Sequence, residues 1–488
     1  MRTRIAIYWL VVVFGFVGVA QQTGTVIFAE ESSVRAKNVI LMVADGAGFN
    51  TWLATSMYRG RVGREIYDQP GWVRLACTTF PLNTATQPKK TGQQDPNVVY
   101  SPSKAWDAES GYKWLTSSAT DSAAAATALS TGQKSYNNAI NWSDMDQAMM
   151  GESLPEVAYR AGKSAGVVTS VQWSHATPAA LGGAHNRDRD NYAEIAQEML
   201  AAPYLQVIMG AGHPLFDKNG QPKKGKLEEA DYRYVGGRQE WEKLTSGQHP
   251  GGWTLIERKE DFEKLTTGPA PKKVLGTAQV ATTLQQARGG LIKVVLPGEP
   301  FAEPLNENVP SLAVMVEGAL NVLDNDPDGF FLMVEGGAVD WANHANQLHR
   351  MIEEQSDFLA AVEVVVNWVN KNSSWDETLV VLTADHECGC LWGPDSDKKP
   401  FAPIQDAGAG KMPAARYNAT KHTNSLVPLY ARGVGAERFA AFVRGEDAQA
   451  AQVWGISGKY VDNTDVGRIL RSVILGQPVA VHHHVTMP

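Results

Sequence analysis

The chain has 488 residues, of which 43% are hydrophobic and 20% are charged, a balance typical of a globular protein with a sizeable core. The formal net charge of −8 excludes the broad basic surface that nucleic-acid-binding proteins use. The three cysteines exclude a complete disulfide framework, and we predict Cys388 and Cys390 to be buried small apolar groups rather than a redox or metal pair.

The first residues have the pattern of an export signal. Two arginines precede an apolar run over 5–20, and small residues allow cleavage after Ala20 or after Ala29. An uncleaved membrane anchor is the alternative, although the run is short for a spanning helix. We therefore predict a signal peptide over 1–29 and an exported protein that resides in the periplasm or outside the cell.

From residue 36 onward, apolar runs typical of buried parallel strands alternate with segments typical of helices. The strand candidates are 39–44, 166–171, 206–209, 330–334 and 378–383. The helix candidates are 123–129, 152–165, 190–202, 310–323 and 347–370. This alternation predicts an α/β fold with a doubly wound, mostly parallel central sheet and helices on both faces.

Two polar segments interrupt the alternation. Residues 210–308 are rich in Gly, Pro and Lys, and we interpret them as an insertion with some helix and little sheet of its own. Residues 389–421 are rich in Pro, Asp and Gly and are predicted to form a surface excursion that returns to the sheet at His422. By length alone, the mature chain, 30–488, could form two or three domains, although large α/β domains often exceed that rule.

The segment TSSATDSAAAATALSTG, at 116–132, places Asp121 and Ser122 at the start of an alanine-rich run. Alanine is the best helix former, so Ser122 is predicted in the first turn of a helix. Unpaired backbone N–H groups and the helix dipole attract an anion there, and a hydroxyl could attack a group held at that point. The alternative is a helix cap without a chemical role.

Residues of metal-binding types follow three of the strand candidates. The run 39–44 ends at Asp45, the fourth run ends at Glu335, and the fifth ends at Asp385 and His386. In open α/β sheets, ligands bind outside the carboxyl ends of the strands, so these side chains are predicted to share one edge.

Three further residues extend this constellation. Asp340 and His344 are spaced one helical turn apart, so both can face one ion, and His422 follows the 389–421 excursion. Together, three histidines and four carboxylates could supply ligands to two zinc-like ions and oxygen ligands to a harder cation such as Mg²⁺.

These motifs resemble those of the alkaline phosphatase family over most of residues 36–435. The similar segments, in the family's order, are VADGAG at 43–48, TDSAAAATAL at 120–129, SHATPAAL at 174–181, MVEGGAVDWANH at 333–344, TADHECG at 383–389 and KHTNS at 421–425. The resemblance implies a three-layer sandwich and a single catalytic domain that hydrolyses phosphate monoesters to an alcohol and inorganic phosphate.

The resemblance also implies roles for the residues of the nucleophile helix. Ser122 would form a covalent phosphoserine intermediate, and Asp121 would orient the arginine that binds phosphate. Two arginines occur after SHATPAAL, and we favour Arg189, which directly precedes the predicted helix; Arg187 is the alternative.

Two zinc ions and one magnesium ion are implied in the same way. The resemblance assigns Asp340, His344 and His422 to one zinc, Asp45, Asp385 and His386 to the other, and Asp45, Thr177 and Glu335 to magnesium. His175 is expected just outside the direct magnesium ligands. Trp341 stands where other members have Lys or His, so we expect a water-mediated contact to phosphate to be missing.

Two other functions are weighed against this one. The first is a phosphodiesterase or sulfatase of the same superfamily, and the second is an exported anion-binding protein without turnover. Ser122 within TDSAAAATAL favours monoesters. The expected partners are small phosphorylated substrates, without specific nucleic-acid binding or a stable membrane partner, and the resemblance suggests a homodimer.

Overall fold

Strands and helices alternate along most of the chain. The computed structural model describes residues 34–289 and 298–479, so the predicted signal peptide over 1–29 lies outside the described residues. The strands are β1 (Asn38–Ala44), β2 (Val73–Thr78), β3 (Ser164–Gln172), β4 (Leu205–Ala211), β5 (Thr254–Ile256), β6 (Val274–Thr277), β7 (Phe330–Gly336), β8 (Thr378–Thr383), β9 (Glu387–Cys388), β10 (Leu391–Trp392), β11 (Arg416–Tyr417), β12 (His422–Thr423), β13 (Val427–Gly433), β14 (Gly445–Glu446) and β15 (Lys459–Asp462).

The α-helices cover the sheet and connect its strands. They are α1 (Phe49–Tyr58), α2 (Pro102–Ala105), α3 (Gly111–Leu115), α4 (Ser122–Thr131), α5 (Leu154–Arg160), α6 (Ala176–Leu181), α7 (Tyr192–Ala201), α8 (Arg238–Thr245), α9 (Lys259–Leu265), α10 (Leu312–Leu323), α11 (Ala338–His344), α12 (Leu348–Asn372), α13 (Ala448–Trp454) and α14 (Asn463–Leu475). Short 3₁₀ helices lie at Ile66–Asp68, Glu229–Val235 and Ala436–Phe442. No helix among the described residues is long and apolar enough to cross a membrane.

One large sheet organises these elements. Its strand order is β14-β15-β2-β13-β8-β1-β7-β3-β4-β6-β5. Strand β13 runs antiparallel to β2 and β8, and β14 runs antiparallel to β15, whereas the other neighbours in this sheet are parallel. The predicted α/β class with a mostly parallel central sheet is confirmed.

The middle strands are buried because their sequences are apolar on both faces. Every residue of β1, β7 and β8 is buried, as continuous runs such as NVILMVA and TLVVLT require. Helices α10 and α12 pack on each other and on these strands, while α4, α6 and α14 form a second packed group that also contacts the sheet. The two groups bury the sheet and hold its middle strands rigidly in register.

The predicted helix over 152–165 is wrong at its carboxyl end. Helix α5 stops at Arg160, and β3 already begins at Ser164. Gly162 has a φ of 82° and its N–H donates to the Tyr159 carbonyl, which closes the helix with a left-handed residue. Ser164 and Ala165 belong to the strand, because small residues carry little periodicity and do not mark where the helix ends.

The two polar insertions connect to the sheets of the protein in different ways. Strands β5 and β6, within 210–308, extend the parallel edge of the central sheet. The prediction that the excursion over 389–421 returns to the central sheet at His422 is wrong. Instead, β12 pairs with β9 in a separate two-stranded sheet, and the chain rejoins the central sheet at β13.

Candidate active site

The carboxyl edge of the three central strands gathers the predicted metal-binding residues. Val43 of β1 lies opposite Glu335 of β7 on one side and opposite Thr383 of β8 on the other. The strands therefore end at the same level, so Asp45 and Asp385 emerge beside Glu335. All three carboxylates are buried.

Asp45, Asp385 and His386 form one cluster at this edge. The His386 Nε2 atom lies 3.0 Å from Asp385 Oδ2 and 3.6 Å from Asp45 Oδ1. Asp385 Oδ1 accepts the backbone N–H groups of Gly46 and His386, which turns Oδ2 toward the imidazole. Burial and the neighbouring carboxylates of Asp385 and Asp340 raise the pKa of Asp45 well above its usual range. A cation between these groups would remove that repulsion.

Asp340, His344 and His422 form a second cluster. Helix α11 presents Asp340 and His344 on one face, with His344 Nε2 3.3 Å from Asp340 Oδ2. His422 Nε2 lies 3.4 Å from Asp340 Oδ1 and only 2.9 Å from His344 Nε2. All three side chains therefore converge on one point.

The tautomers of the two rings follow from their outer partners. Nδ1 of His344 lies 2.8 Å from the Thr420 carbonyl, and Nδ1 of His422 lies 2.9 Å from the Thr120 carbonyl. Because a carbonyl only accepts, each Nδ1 carries a hydrogen, and Nε2 is the ring atom that faces Asp340 and the other imidazole. Burial lowers the pKa of His422, but Asp340 outweighs it and raises the pKa to about 9, so two Nε2 atoms 2.9 Å apart can share a proton. A bound metal ion would take the place of that proton, with both Nε2 atoms as ligands.

Unpartnered buried atoms give a further indication that the residues fit metal ions. Asp45 Oδ1, Asp340 Oδ1, Asp385 Oδ2 and Glu335 Oε1 accept no hydrogen bond from any described residue. Buried polar atoms normally have partners, so these carboxylates suit bound cations. Imidazole and carboxylate together are the donor set of zinc, whereas carboxylate and hydroxyl oxygens suit magnesium.

Glu335 marks the candidate magnesium position. Burial raises the pKa of Glu335 to about 7, partly offset by the hydroxyls of Thr169 and Thr177. The Thr169 hydroxyl donates to Glu335 Oε2, a contact that sequence reasoning missed. Thr177 is fully buried in the first turn of α6, and His175 precedes that helix as its N-terminal cap residue.

Ser122 and Asp121 occupy the start of α4. The Ser122 Oγ atom lies 3.2 Å from His386 Nε2 and is buried. Asp121 is indeed the helix cap, since its Oδ1 accepts the N–H of Ala124. Its second oxygen accepts a hydrogen bond from Arg189 Nη1 at 3.0 Å, so the cap also has another partner.

The structure separates the two candidate arginines. Arg187 forms an ion pair with Asp146 across 2.8 Å, and its side chain is 57% exposed. Arg189 instead opens onto a cavity of about 540 Å³. The other residues that line it are Ser122, His175, Asp340, Trp341, His344, Ala345 and His422.

The cavity has an aromatic side. The His175 ring stacks on Tyr192 at 5.9 Å and meets Trp341 edge-on at 5.6 Å between ring centroids. Burial and the nearby Arg189 lower the pKa of His175 to about 3, so the ring is neutral. A neutral imidazole leaves Arg189 as the cationic side chain of this part of the cavity.

The two cysteines of the CGC segment have different surroundings. Cys390 packs with Ala105, Leu115 and Trp392, as predicted for a small apolar group. Cys388 is also buried, but its sulfur lies within 4.8 Å of the ligand atoms of the Asp340, His344 and His422 cluster. Its position two residues after His386 was the signal that sequence reasoning missed.

Fold and site together define a class of protein. A doubly wound sheet gathers metal-ligand residues, a hydroxyl and an arginine around one cavity, as hydrolases of charged esters require. The chain belongs to the alkaline phosphatase family, because the family model described as alkaline phosphatase matches residues 36–468. It is thus an enzyme of the phosphoric monoester hydrolase class.

Individual relatives agree with the family model. Alkaline phosphatase 3 of Bacillus subtilis is 31% identical over 359 residues, which cover 72% of this chain and 61% of that protein, less than two thirds of its length. Alkaline phosphatase 4 of Bacillus subtilis is 27% identical over 490 residues, covering 88% of this chain and 90% of the relative. The human tissue-nonspecific isozyme is 28% identical, covering 84% and 79% respectively.

Solved structures share the fold. The cold-active alkaline phosphatase of Shewanella sp. has a TM-score of 0.59 at 22% identity, covering 90% of this chain and 99% of that one. The enzyme of the Antarctic bacterium TAB5 has a TM-score of 0.57 at 21% identity, covering 90% and 98%. A variant of the TAB5 enzyme was solved with Mg bound in its M3 site.

Proposed function

We propose that this protein hydrolyses phosphate monoesters through a covalent phosphoserine at Ser122. The observation that carries the proposal is the position of Ser122 Oγ, 3.2 Å from His386 Nε2, in the same cavity as Arg189. A hydroxyl at a helix start faces unpaired N–H groups that attract a phosphoryl group. Nucleophile and anion site therefore coincide.

Arg189 binds and orients the phosphoryl group. Its guanidinium is planar and presents parallel N–H donors, which match two phosphate oxygens. The ion pair with Asp121 fixes the side chain and leaves the remaining donors toward the cavity. The substrate phosphorus is thereby held near Ser122 Oγ, so much of the rate enhancement is positional.

The two histidine-containing clusters are proposed to hold zinc, through Asp340, His344 and His422 in one site and Asp45, Asp385 and His386 in the other. Bound divalent cations supply charge stabilisation to the attacking and departing oxygens of such a displacement. His386 Nε2 lies 3.2 Å from the Ser122 hydroxyl and 3.6 Å from Asp45 Oδ1, which supports assigning that hydroxyl to the second site. Asp45, Thr177 and Glu335 are proposed to hold magnesium, with His175 just outside those ligands.

Hydrolysis of the phosphoserine uses the same geometry, with water attacking from the side by which the alcohol left. Water attacks the phosphoserine from the side of the His344 and His422 cluster, which lines the same cavity as Ser122. Arg189 remains hydrogen-bonded to the phosphoryl oxygens during both displacements. In the first displacement the Ser122 proton passes to the departing alkoxide, which leaves as the alcohol. In the second, a proton of the attacking water passes to Ser122 Oγ and inorganic phosphate is released.

Export to the periplasm or the extracellular medium and assembly as a homodimer belong to the same proposal. The N-terminal sequence pattern supports export, and the family resemblance supports the dimer. Small phosphorylated compounds are the proposed substrates, without a nucleic-acid or stable membrane partner.

The test compares metal-loaded wild type with Ser122→Ala on p-nitrophenyl phosphate. We expect kcat to fall at least about 1,000-fold, because the nucleophile is lost. Ser117→Ala, which removes an exposed hydroxyl near α4, is the matched control and keeps wild-type turnover. Acid quenching of wild type with labelled substrate should leave phosphate on the peptide that contains Ser122.

Other outcomes would favour the alternatives. Full activity of Ser122→Ala rules out this nucleophile. Faster turnover of bis-p-nitrophenyl phosphate or p-nitrophenyl sulfate than of the monoester indicates a diesterase or sulfatase. Binding of phosphate without turnover by the metal-loaded protein indicates an anion-binding protein.

A further inference from the structure

Cys388 lies where a metal ligand could lie. Its sulfur, the carboxylate of Asp340 and the imidazole nitrogens of His344 and His422 are all within 4.8 Å of one another. Cys388 is fully buried, so its sulfur does not contact solvent. The four donors therefore surround one small volume.

The backbone holds Cys388 in this place from two sides. Cys388 in β9 lies directly opposite His422 in β12. The Cys388 N–H donates to the Gly46 carbonyl at 3.0 Å, and the same carbonyl accepts from Asn343 Nδ2 at 3.0 Å. Asn343 belongs to α11, as do Asp340 and His344, so one carbonyl ties the strand of the cysteine to the helix of the other ligands.

One oxygen of the buried carboxylate beside the sulfur has no hydrogen-bond partner among the described residues. Asp340 is only 5% exposed, and its Oδ1 atom accepts no hydrogen bond from any described residue. The Nε2 atoms of His344 and His422 lie 2.9 Å apart and face the same volume. An unpartnered oxygen, two imidazole nitrogens and a sulfur together form a donor set for a cation rather than an apolar pocket.

The other cysteines do not share this setting. Cys390 packs in the apolar cluster of Ala105, Leu115 and Trp392. Cys77 lies in β2 opposite Val427 of β13 and belongs to the main apolar core. Of the three cysteines, Cys388 alone lies among metal-ligand atoms, and Cys390 provides a matched control.

We propose that Cys388 is a sulfur ligand of the metal ion held by Asp340, His344 and His422. The inference rests on the proposed function, which places zinc in that cluster. On coordination, the S–H proton leaves to solvent and the sulfur binds as thiolate. A mixed Asp, His₂ and Cys site is softer than an Asp and His₂ site, so it retains zinc, cobalt or cadmium and discriminates more strongly against magnesium.

The test is zinc K-edge X-ray absorption on the zinc-loaded full chain as wild type, Cys388→Ser and Cys390→Ser. We expect a sulfur scatterer at about 2.3 Å from zinc in wild type and Cys390→Ser, and its loss in Cys388→Ser. Chelator competition should show at least about 10-fold weaker zinc binding at one site of Cys388→Ser. A wild type with only nitrogen and oxygen scatterers overturns the inference.

Turnover of p-nitrophenyl phosphate on the same samples separates this inference from the proposed function. Turnover by a zinc-loaded wild type without a zinc–sulfur distance overturns the role of Cys388 alone. Failure to bind zinc together with absent turnover overturns both. If Cys388→Ser does not fold, the spectrum of Cys390→Ser still decides, because it has lost the neighbouring sulfur and keeps Cys388.

Discussion

Asp121 joins the helix that begins at Ser122 to the guanidinium of Arg189. Asp121 Oδ1 accepts the N–H of Ala124, and Asp121 Oδ2 accepts both Arg189 Nη1 and the N–H of Asn138, each at 3.0 Å. The Arg189 N–H in turn donates to the Asn138 carbonyl at 2.9 Å. One carboxylate therefore sets the direction of the helix start and of the arginine.

Replacing Arg189 should lower kcat/KM far more than replacing Arg187. We expect kcat/KM for p-nitrophenyl phosphate to fall about 100-fold in Arg189→Ala, equivalent to ~2.7 kcal/mol, because two charge-assisted hydrogen bonds are lost. Arg187→Ala should change kcat/KM less than about twofold, since this side chain pairs with Asp146 and is largely exposed. Steady-state kinetics of both variants decides, and a larger loss in Arg187→Ala would reverse the assignment.

Gly46→Ala should damage the metal site through the backbone. Gly46 has a φ of +70°, and an added Cβ would lie 2.7 Å from Asp340 Oδ1 and 2.8 Å from Asp340 Cα. Because α11 must move to relieve this contact, we expect at least about 10-fold lower kcat and reduced bound zinc. Kinetics and metal analysis of the purified variant measure both.

Gly63→Ala is the control for backbone strain. Gly63 has a φ of +67°, but the added Cβ meets no described atom within 4 Å. Gly63→Ala carries the same cost of a side chain on a left-handed backbone as Gly46→Ala, about 1–2 kcal/mol of folding free energy, but its added Cβ does not contact the site. Wild-type turnover and zinc content in Gly46→Ala would show that the predicted contact has no effect on the site.

His185 should make stability depend on pH. Its Nδ1 lies 2.9 Å from Glu198 Oε1, and its Nε2 lies 3.6 Å from Glu156 Oε2. Burial alone lowers the pKa of His185, but the two carboxylates outweigh it and raise the pKa to about 9. A raised histidine pKa stabilises the folded state fully below the unfolded value of about 6.5, and this contribution is lost as the pH rises through about 9.

His185→Gln should therefore reduce the free energy of unfolding most at low pH. We expect about 3 kcal/mol of destabilisation near pH 6, shrinking toward zero above pH 9.5, in urea unfolding of metal-loaded protein. His249→Gln is the control, because burial lowers the pKa of His249 and its charge adds no stability at pH 6. A destabilisation of His185→Gln that is equal at both pH values would contradict the prediction.

The central strands and the helix that begins at Ser122 could be predicted from local sequence. The runs at 39–44 and 330–334 are apolar at every position, and the run at 378–383 is apolar between its terminal threonines, a pattern typical of strands buried on both faces. The alanine run after Ser122 has a strong helix propensity of its own, and α4 begins at Ser122. Both features depend on neighbours in the chain, so no tertiary contact was needed to predict them.

Short strands depended on partners far away in sequence. Strands β5 and β6 have three and four residues, too few to show a period, and they form only because the edge of the sheet supplies hydrogen-bond partners. The same holds for β9 and β12, whose pairing removes His422 from the central sheet and brings it to Cys388. Local propensity carries no information about such pairing.

The amino-acid sequence by itself determined which residue types end the buried strands and which hydroxyl begins the alanine helix, because periodicity and composition are local properties. Tertiary structure decided which of two nearby arginines faces Ser122 and which of two nearby cysteines joins the histidines. Arg187 and Arg189 differ by their carboxylate partners, Asp146 and Asp121, and these partners are brought together only when the chain folds.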